Sequence, residues 1–174
     1  MISGSACLSL GSNLDPEANL HLAIDALRAR FGKIVLSTVY RTQAVGFDGP
    51  PFLNAAVVIE SDLAPVALND WLHALEDAHG RDRRAPRFGD RTLDIDLVLY
   101  DDLVMQGGGN LRLPRSELRH AFVLRPLAEI APDRIVPGTG LSLARLWQQS
   151  SERGVTMTPV AGFNGDGGGA IGPA

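Results

Sequence analysis

Asp94 and Asp96 stand two residues apart in an apolar run, directly behind a loop that holds Arg81, Arg83, Arg84, Arg87 and Arg91. Leu93, Ile95, Leu97 and Leu99 alternate with Asp94, Asp96, Val98 and Tyr100, which is the period of a strand. On a strand both carboxylates share one face, about 7 Å apart along the chain, while the leucine and isoleucine face packs into a core. Two buried, unpaired carboxylates would be costly, so the pair calls for cations. Hard oxygen ligands beside arginines suit Mg²⁺ carrying a polyphosphate, as in phosphoryl transfer, where positioning and charge neutralisation do most of the catalysis. A lone Asp-x-Asp can also be a solvent-facing strand; the apolar surroundings and Arg91, three residues upstream, favour the metal. Arg81 and Arg91 flank the loop at its anchored ends and are the better placed for phosphate.

A second cluster lies between Thr42 and Asn54. A Gly/Pro loop holding Phe47 leads into Phe52, Leu53 and Asn54, a set that can take a flat heterocycle. Aromatic rings supply a stacking surface, and an asparagine amide donates and accepts at once. Core phenylalanines and a turn asparagine would explain the same residues taken alone. Gly11-Ser12-Asn13 invites comparison with nucleotidyltransferases, but there the Gly-Ser turn and the Asp-x-Asp lie within one short unit, not far apart in the chain. No phosphate-binding loop of the G-x-x-x-x-G-K-[ST] type is present. His21, His73, His79 and His120 form no ligand set.

Behind these groups, residues 6–10 read as a short buried strand ending in a turn at 11–13. Asp15 and Pro16 offer an N-cap and an N1 proline to a helix carrying Leu20, Ile24, Leu27 and Phe31 and stopped near Gly32. Residues 33–42 and 52–61 are strands joined by a loop. Pro65 opens a helix with Leu68, Trp71, Leu72 and Leu75 on one side. Beyond the strand at 94–100, residues 103–105 and 111–113 suggest a small hairpin, and 121–131 and 141–149 short helices. The order β-α-β-β-α-β predicts an α+β fold with a ferredoxin-like core: an antiparallel sheet with helices on one face, the other left for loops and ligands. Residues 1–162 are expected to form one domain, and the Gly-rich stretch 163–174 to be disordered.

The composition, 45% apolar and 21% charged over 174 residues, is that of an ordinary globular protein able to bury its own core. The single Cys7 excludes a disulfide framework, and no Cys/His spacing suggests zinc. The first ten residues lack a basic region, and no apolar run approaches the roughly 20 residues that span a bilayer. A cytoplasmic protein without a membrane partner is expected. A net charge of −4 with one concentrated basic loop argues against nucleic acid and for a small, highly charged anion.

Taken together, residues 6–149 resemble the 6-hydroxymethyl-7,8-dihydropterin pyrophosphokinases of folate biosynthesis. The resemblance is carried by Gly11-Ser12-Asn13, Tyr40-Arg41-Thr42, Val45-Gly46, Phe52-Leu53-Asn54-Ala55, Glu76, Gly80-Arg81, Gly89 and Arg91-Thr92-Leu93-Asp94-Ile95-Asp96. Phe122-Val123-Leu124 and the run from Pro126 to Pro132 add to it. It implies transfer of the β,γ-diphosphate of ATP to the hydroxymethyl oxygen of the pterin, with release of AMP. Asp94 and Asp96 would hold two Mg²⁺ ions, and Arg81 and Arg91 would stabilise phosphate charge. Glu76, Arg83, Leu97 and Arg115 would join Arg81 and Arg91 around ATP. Thr42, Val45, Phe52 and Asn54 would bind the pterin, with Phe122 stacked on its ring. No dedicated general base is apparent, so metal coordination is expected to acidify the attacking alcohol. A monomer is expected.

The chain also departs from the family pattern. Phe88 replaces a tryptophan common in the arginine loop, and Asp90 a small residue or proline. Arg115 and Ser116 follow Pro114 where the family has a histidine facing ATP. His120 takes the place of a usual arginine, and one residue is deleted nearby. These departures motivate an alternative, a divergent paralogue that binds nucleotide or pterin without turnover. A ferredoxin-like nucleic-acid-binding module is a further alternative, opposed by the acidic net charge and the lack of an aromatic-basic strand pair.

Overall fold

The computed structural model describes residues 3–44, 46, 48–79, 92–107 and 111–163. The chain runs through β1 (Gly4–Ser12), α1 (Pro16–Phe31), β2 (Ile34–Leu36), β3 (Val39–Thr42), β4 (Phe52–Ser61), α2 (Pro65–Ala78) and β5 (Asp94–Tyr100). A ribbon of β6 (Met105–Gln106) and β7 (Arg112–Leu113) leads to α3 (Ala121–Ile130). A second ribbon, β8 (Ile135–Val136) with β9 (Leu141–Ser142), precedes α4 (Leu143–Gln148) and β10 (Thr158–Val160). Six strands form one antiparallel sheet, in the order β10-β3-β4-β1-β5 with β2 also paired to β4.

Local chemistry explains most of these bounds. Pro16 opens α1, and Gly32, at φ 79°, closes it in a conformation that a side chain would strain. Asp15 does not cap α1 with its side chain as expected; its own φ is 45°, and its carbonyl accepts from Asn19 N–H at 3.1 Å. The strand expected over 33–42 is broken at Ser37. The Ser37 hydroxyl accepts from Ala56 N–H at 2.8 Å and donates to the Thr38 carbonyl at 2.8 Å, so a side chain takes over part of the ladder. β1 outruns its expected bounds, because Gly11 and Ser12 still pair with Asn54 and Leu53.

The first face of the sheet packs on α1 and α2. Leu8, Leu10, Val57, Ile59, Leu93, Ile95 and Leu97 meet Leu20, Ile24, Leu27, Leu68 and Leu72 there. The alternation read from the sequence holds along β5 to Val98 and fails at Leu99. The register with β1 shifts between Cys7 and Leu8, leaving Val98 as an extra residue, a β-bulge. Beyond it the faces exchange. Leu99 joins Val98 on the second face, and Tyr100 turns into the first core, its ring over Gly4 and its hydroxyl donating to the Leu63 carbonyl at 2.6 Å.

The bulge has a consequence for the layers. Cys7, Ala56, Val98 and Leu99 make half of the second face apolar, and α3 and α4 cover it through Val123, Leu124, Leu127 and Leu143. Helices therefore lie on both faces, which corrects the expectation of one helical face and one free face. The other half of the second face, where β1 ends and β4 and β5 begin, carries the polar side chains Asn54, Asp94 and Asp96. Phe163 also differs from expectation, since it packs on the first core and stacks on His21 with ring centroids 4.3 Å apart; the rest of the expected tail lies outside the described residues.

Candidate active site

Antiparallel register places Tyr40, Asn54, Gly11 and Asp94 side by side across β3, β4, β1 and β5. Ala56, Ser9 and Asp96 form the next row on the same face. Asn54 and Asp94 thus flank Gly11, two inter-strand spacings or about 9.5 Å apart. A Cβ on Gly11 would lie 3.0 Å from Asn54 Oδ1 and 3.9 Å from the Phe52 ring, so the glycine leaves β1 as bare backbone beneath the Asn54 amide. Asn54 is 5% exposed, and its Nδ2 donates to Thr42 Oγ1 at 2.5 Å across the β3–β4 pair, which fixes the plane of the amide. Buried polar side chains of this kind need a reason beyond packing.

Asp94 and Asp96 rise from the same face, both half-buried. Arg115 Nη2 lies 3.3 Å from Asp96 Oδ1, while its Nε lies 3.2 Å from Glu117 Oε2. The Arg115 backbone N–H donates to the Val98 carbonyl at 3.1 Å, so the bulged residue anchors the segment that carries this guanidinium. Among the described residues no group of three His, Cys, Asp or Glu side chains gathers to hold a metal ion. Two adjacent carboxylates nevertheless fit Mg²⁺, which keeps several waters and is commonly bound through one or two carboxylates plus substrate phosphates.

The end of β1 and the residue after it brace the surrounding loops. Ser12 Oγ donates to the Thr92 carbonyl just before β5. Asn13 Nδ2 donates to the Pro50 carbonyl at 3.2 Å, just before β4. On the α3 side Phe122 is half-buried against Tyr40, Ala121 and Met157. The Tyr40 hydroxyl donates to Glu129 Oε1 at 2.9 Å, and burial together with that carboxylate pushes the phenol pKa up, keeping it a donor.

The structure brings Thr42, Phe52, Asn54, Asp94, Asp96 and Arg115 to one half of one face. Glu76 stands apart: it is 2% exposed, and its Oε2 accepts from Ile95 N–H at 3.4 Å on the outer side of β5. It braces the strand that presents the two aspartates. Leu97 is wholly buried in the first core, on the face opposite those aspartates, so only its backbone is left to meet a ligand. Val45, Arg81, Arg83 and Arg91 lie outside the described residues, as does the rest of the arginine loop between Arg81 and Arg91. Glu152 and Glu117 carry no mark in the local pattern: Glu152 meets His120 and Ala121 at the start of α3, and Glu117, in a 3-10 turn, meets Arg115 just before that turn.

Fold and site together define an α+β protein with a polar row on one half of one sheet face, a buried amide at one end and paired carboxylates at the other. Residues 7–132 match the family model for 7,8-dihydro-6-hydroxymethylpterin-pyrophosphokinase (HPPK), and the chain belongs to that family. A 2-amino-4-hydroxy-6-hydroxymethyldihydropteridine pyrophosphokinase of Haemophilus influenzae is 32% identical over 160 residues, covering 89% of this chain and 99% of that protein. One from Methylorubrum extorquens is 41% identical over 155 residues, covering 85% and 97%. Among solved structures, the wild-type HPPK-DHPS of Plasmodium falciparum aligns over 85% of this chain and 45% of that longer one. Its TM-score is 0.67 at 13% identity, a likeness of fold alone.

Proposed function

We propose that the diphosphate of ATP passes to the hydroxymethyl oxygen of the reduced pterin over the row formed by Asn54, Gly11 and Asp94. The activity itself, ATP-dependent pyrophosphoryl transfer in folate biosynthesis, follows from family membership. The βαββαβ order of the first five strands and two helices, counting β2 and β3 as one broken strand, supports a ferredoxin-like reading of the scaffold.

The observation that carries the placement is the bare backbone of Gly11, with a fixed amide on one side and paired carboxylates on the other. Asn54, held by Thr42, offers both a donor and an acceptor to the polar edge of the pterin. Phe52 and Phe122 flank the ring, and bare backbone at Gly11 lets it lie close to the sheet. A bicyclic ring read at its far edge by Asn54 then directs its substituent toward β5. Asp94 and Asp96 would hold Mg²⁺, two ions by family resemblance, which neutralises the triphosphate and acidifies the acceptor alcohol. Arg115 is placed to balance the charge of Asp96 and to meet phosphate, with Arg81, Arg83 and Arg91 supplying further cations from the arginine loop. Glu76 holds β5 in place beneath them.

Purified protein supplied with ATP, Mg²⁺ and 6-hydroxymethyl-7,8-dihydropterin should release one AMP per pterin diphosphate formed, measured by chromatography. Absence of AMP, together with no detectable nucleotide or pterin binding, would overturn the reading.

A further inference from the structure

Glu152, in the turn after α4, reaches back to the start of α3. Its Oε2 accepts from Ala121 N–H at 2.6 Å, and its Oε1 lies 3.1 Å from His120 Nδ1. The carboxylate therefore fills the capping place that His120 leaves empty, because the His120 side chain makes no cap bond of its own. The backbone hydrogen bond, followed by His120, holds the Glu152 carboxyl below its ordinary range. His120 in turn stacks on Phe122, with ring centroids 5.3 Å apart and planes 9° from parallel. One face of the Phe122 ring is thus occupied by an imidazole whose own orientation is set from a segment thirty residues downstream. Tyr40 and Met157 close the same cluster, and Met157 immediately precedes β10.

From this chain of contacts we infer that Glu152 is a positioning residue for the pterin, acting through His120 and Ala121 to fix the ring of Phe122. The inference rests on the assignment of Phe122 to the pterin site. It gives His120 a task of its own: where the resemblance leads one to expect an arginine beside the phosphates, this chain spends the residue on aligning an aromatic wall.

The test is a double-mutant cycle with pterin KM and ATP KM both measured. Glu152→Ala should raise the pterin KM about tenfold, as expected for losing a charge-assisted contact, and leave the ATP KM near its wild-type value. Glu152→Gln keeps an acceptor for Ala121 N–H and should recover most of the loss. In a Phe122→Ala background, Glu152→Ala should add nothing, because the ring it positions is gone. Equal effects of Glu152→Ala with and without Phe122, or matching increases in both KM values, would overturn the inference. If Phe122→Ala alone leaves pterin KM unchanged in an active enzyme, the assignment of Phe122 fails instead, and the inference falls with it. Thermal melts of each variant exclude a merely unfolded protein: a Glu152→Ala enzyme that melts cooperatively and still turns over is folded.

Discussion

At the scale of single residues, the site depends on what is absent at position 11 as much as on what stands at 54, 94 and 96. Gly11→Ala would push a methyl group to 3.0 Å from Asn54 Oδ1, closer than most real contacts. Since Asn54 is tied to Thr42, the amide has little room to yield. The expected outcome is a pterin KM raised about tenfold with ATP affinity near wild type, checked by steady-state kinetics with each substrate varied. A pterin KM equal to wild type would show that the ring does not lie over β1. Asp96→Ala would remove a proposed oxygen ligand and one of the two carboxylates beside Arg115, leaving it with Glu117. Turnover should fall by about 10³-fold or more, with the Mg²⁺ requirement shifted to higher concentration, because charge neutralisation is the main catalytic term in such transfers. Near-normal turnover would remove Asp96 from the metal site.

At the scale of elements, the strand carrying both aspartates was legible because a period of two and a paired-carboxylate motif coincide in seven residues. The same period misleads after Val98, since a bulge depends on the partner strand and leaves no mark in the sequence that contains it. That one residue decides whether Leu99 belongs to the α1–α2 core or the α3–α4 core, which is why the covered half of the second face was not foreseen. Asn54 was singled out from its local pattern, but its neighbour Gly11 was read as a turn, because register across strands is invisible to that pattern. The Glu152 cap on α3 belongs to the same class of long-range contact. Its carboxyl is held low first by Ala121 N–H and then by His120, with Arg119 also facing it. A lowered native value means that the contribution is complete above the ordinary glutamate value of 4.5 and is lost as the pH falls through the native one. The stability difference between wild type and Glu152→Gln should therefore shrink from about pH 6 to about pH 3, followed by thermal melts. A constant difference across that range would mean that the carboxylate charge contributes nothing.

At the scale of the whole molecule, two cores lie on opposite faces of one sheet, and the lone Cys7 is sealed between β1 and α3 with its thiol pushed up to about 11 by burial. No helix among the described residues is long and apolar enough to cross a membrane. The sheet itself ends in two different ways. On one side, Glu76 accepts the Ile95 N–H that β5 turns outward. On the other, β10 pairs with β3 through only three residues, and its central residue is Pro159, opposite Tyr40. A proline has no N–H to offer, and a three-residue strand gives an incoming chain little to align on. Both margins of the sheet are in this way made poor templates for strand addition from another molecule. Pro159→Val should leave the melting temperature almost unchanged yet increase light scattering when concentrated protein is held just below it. Equal scattering from the two proteins would place the protection elsewhere. The short last strand would then guard against aggregation, at the margin of the sheet opposite β5.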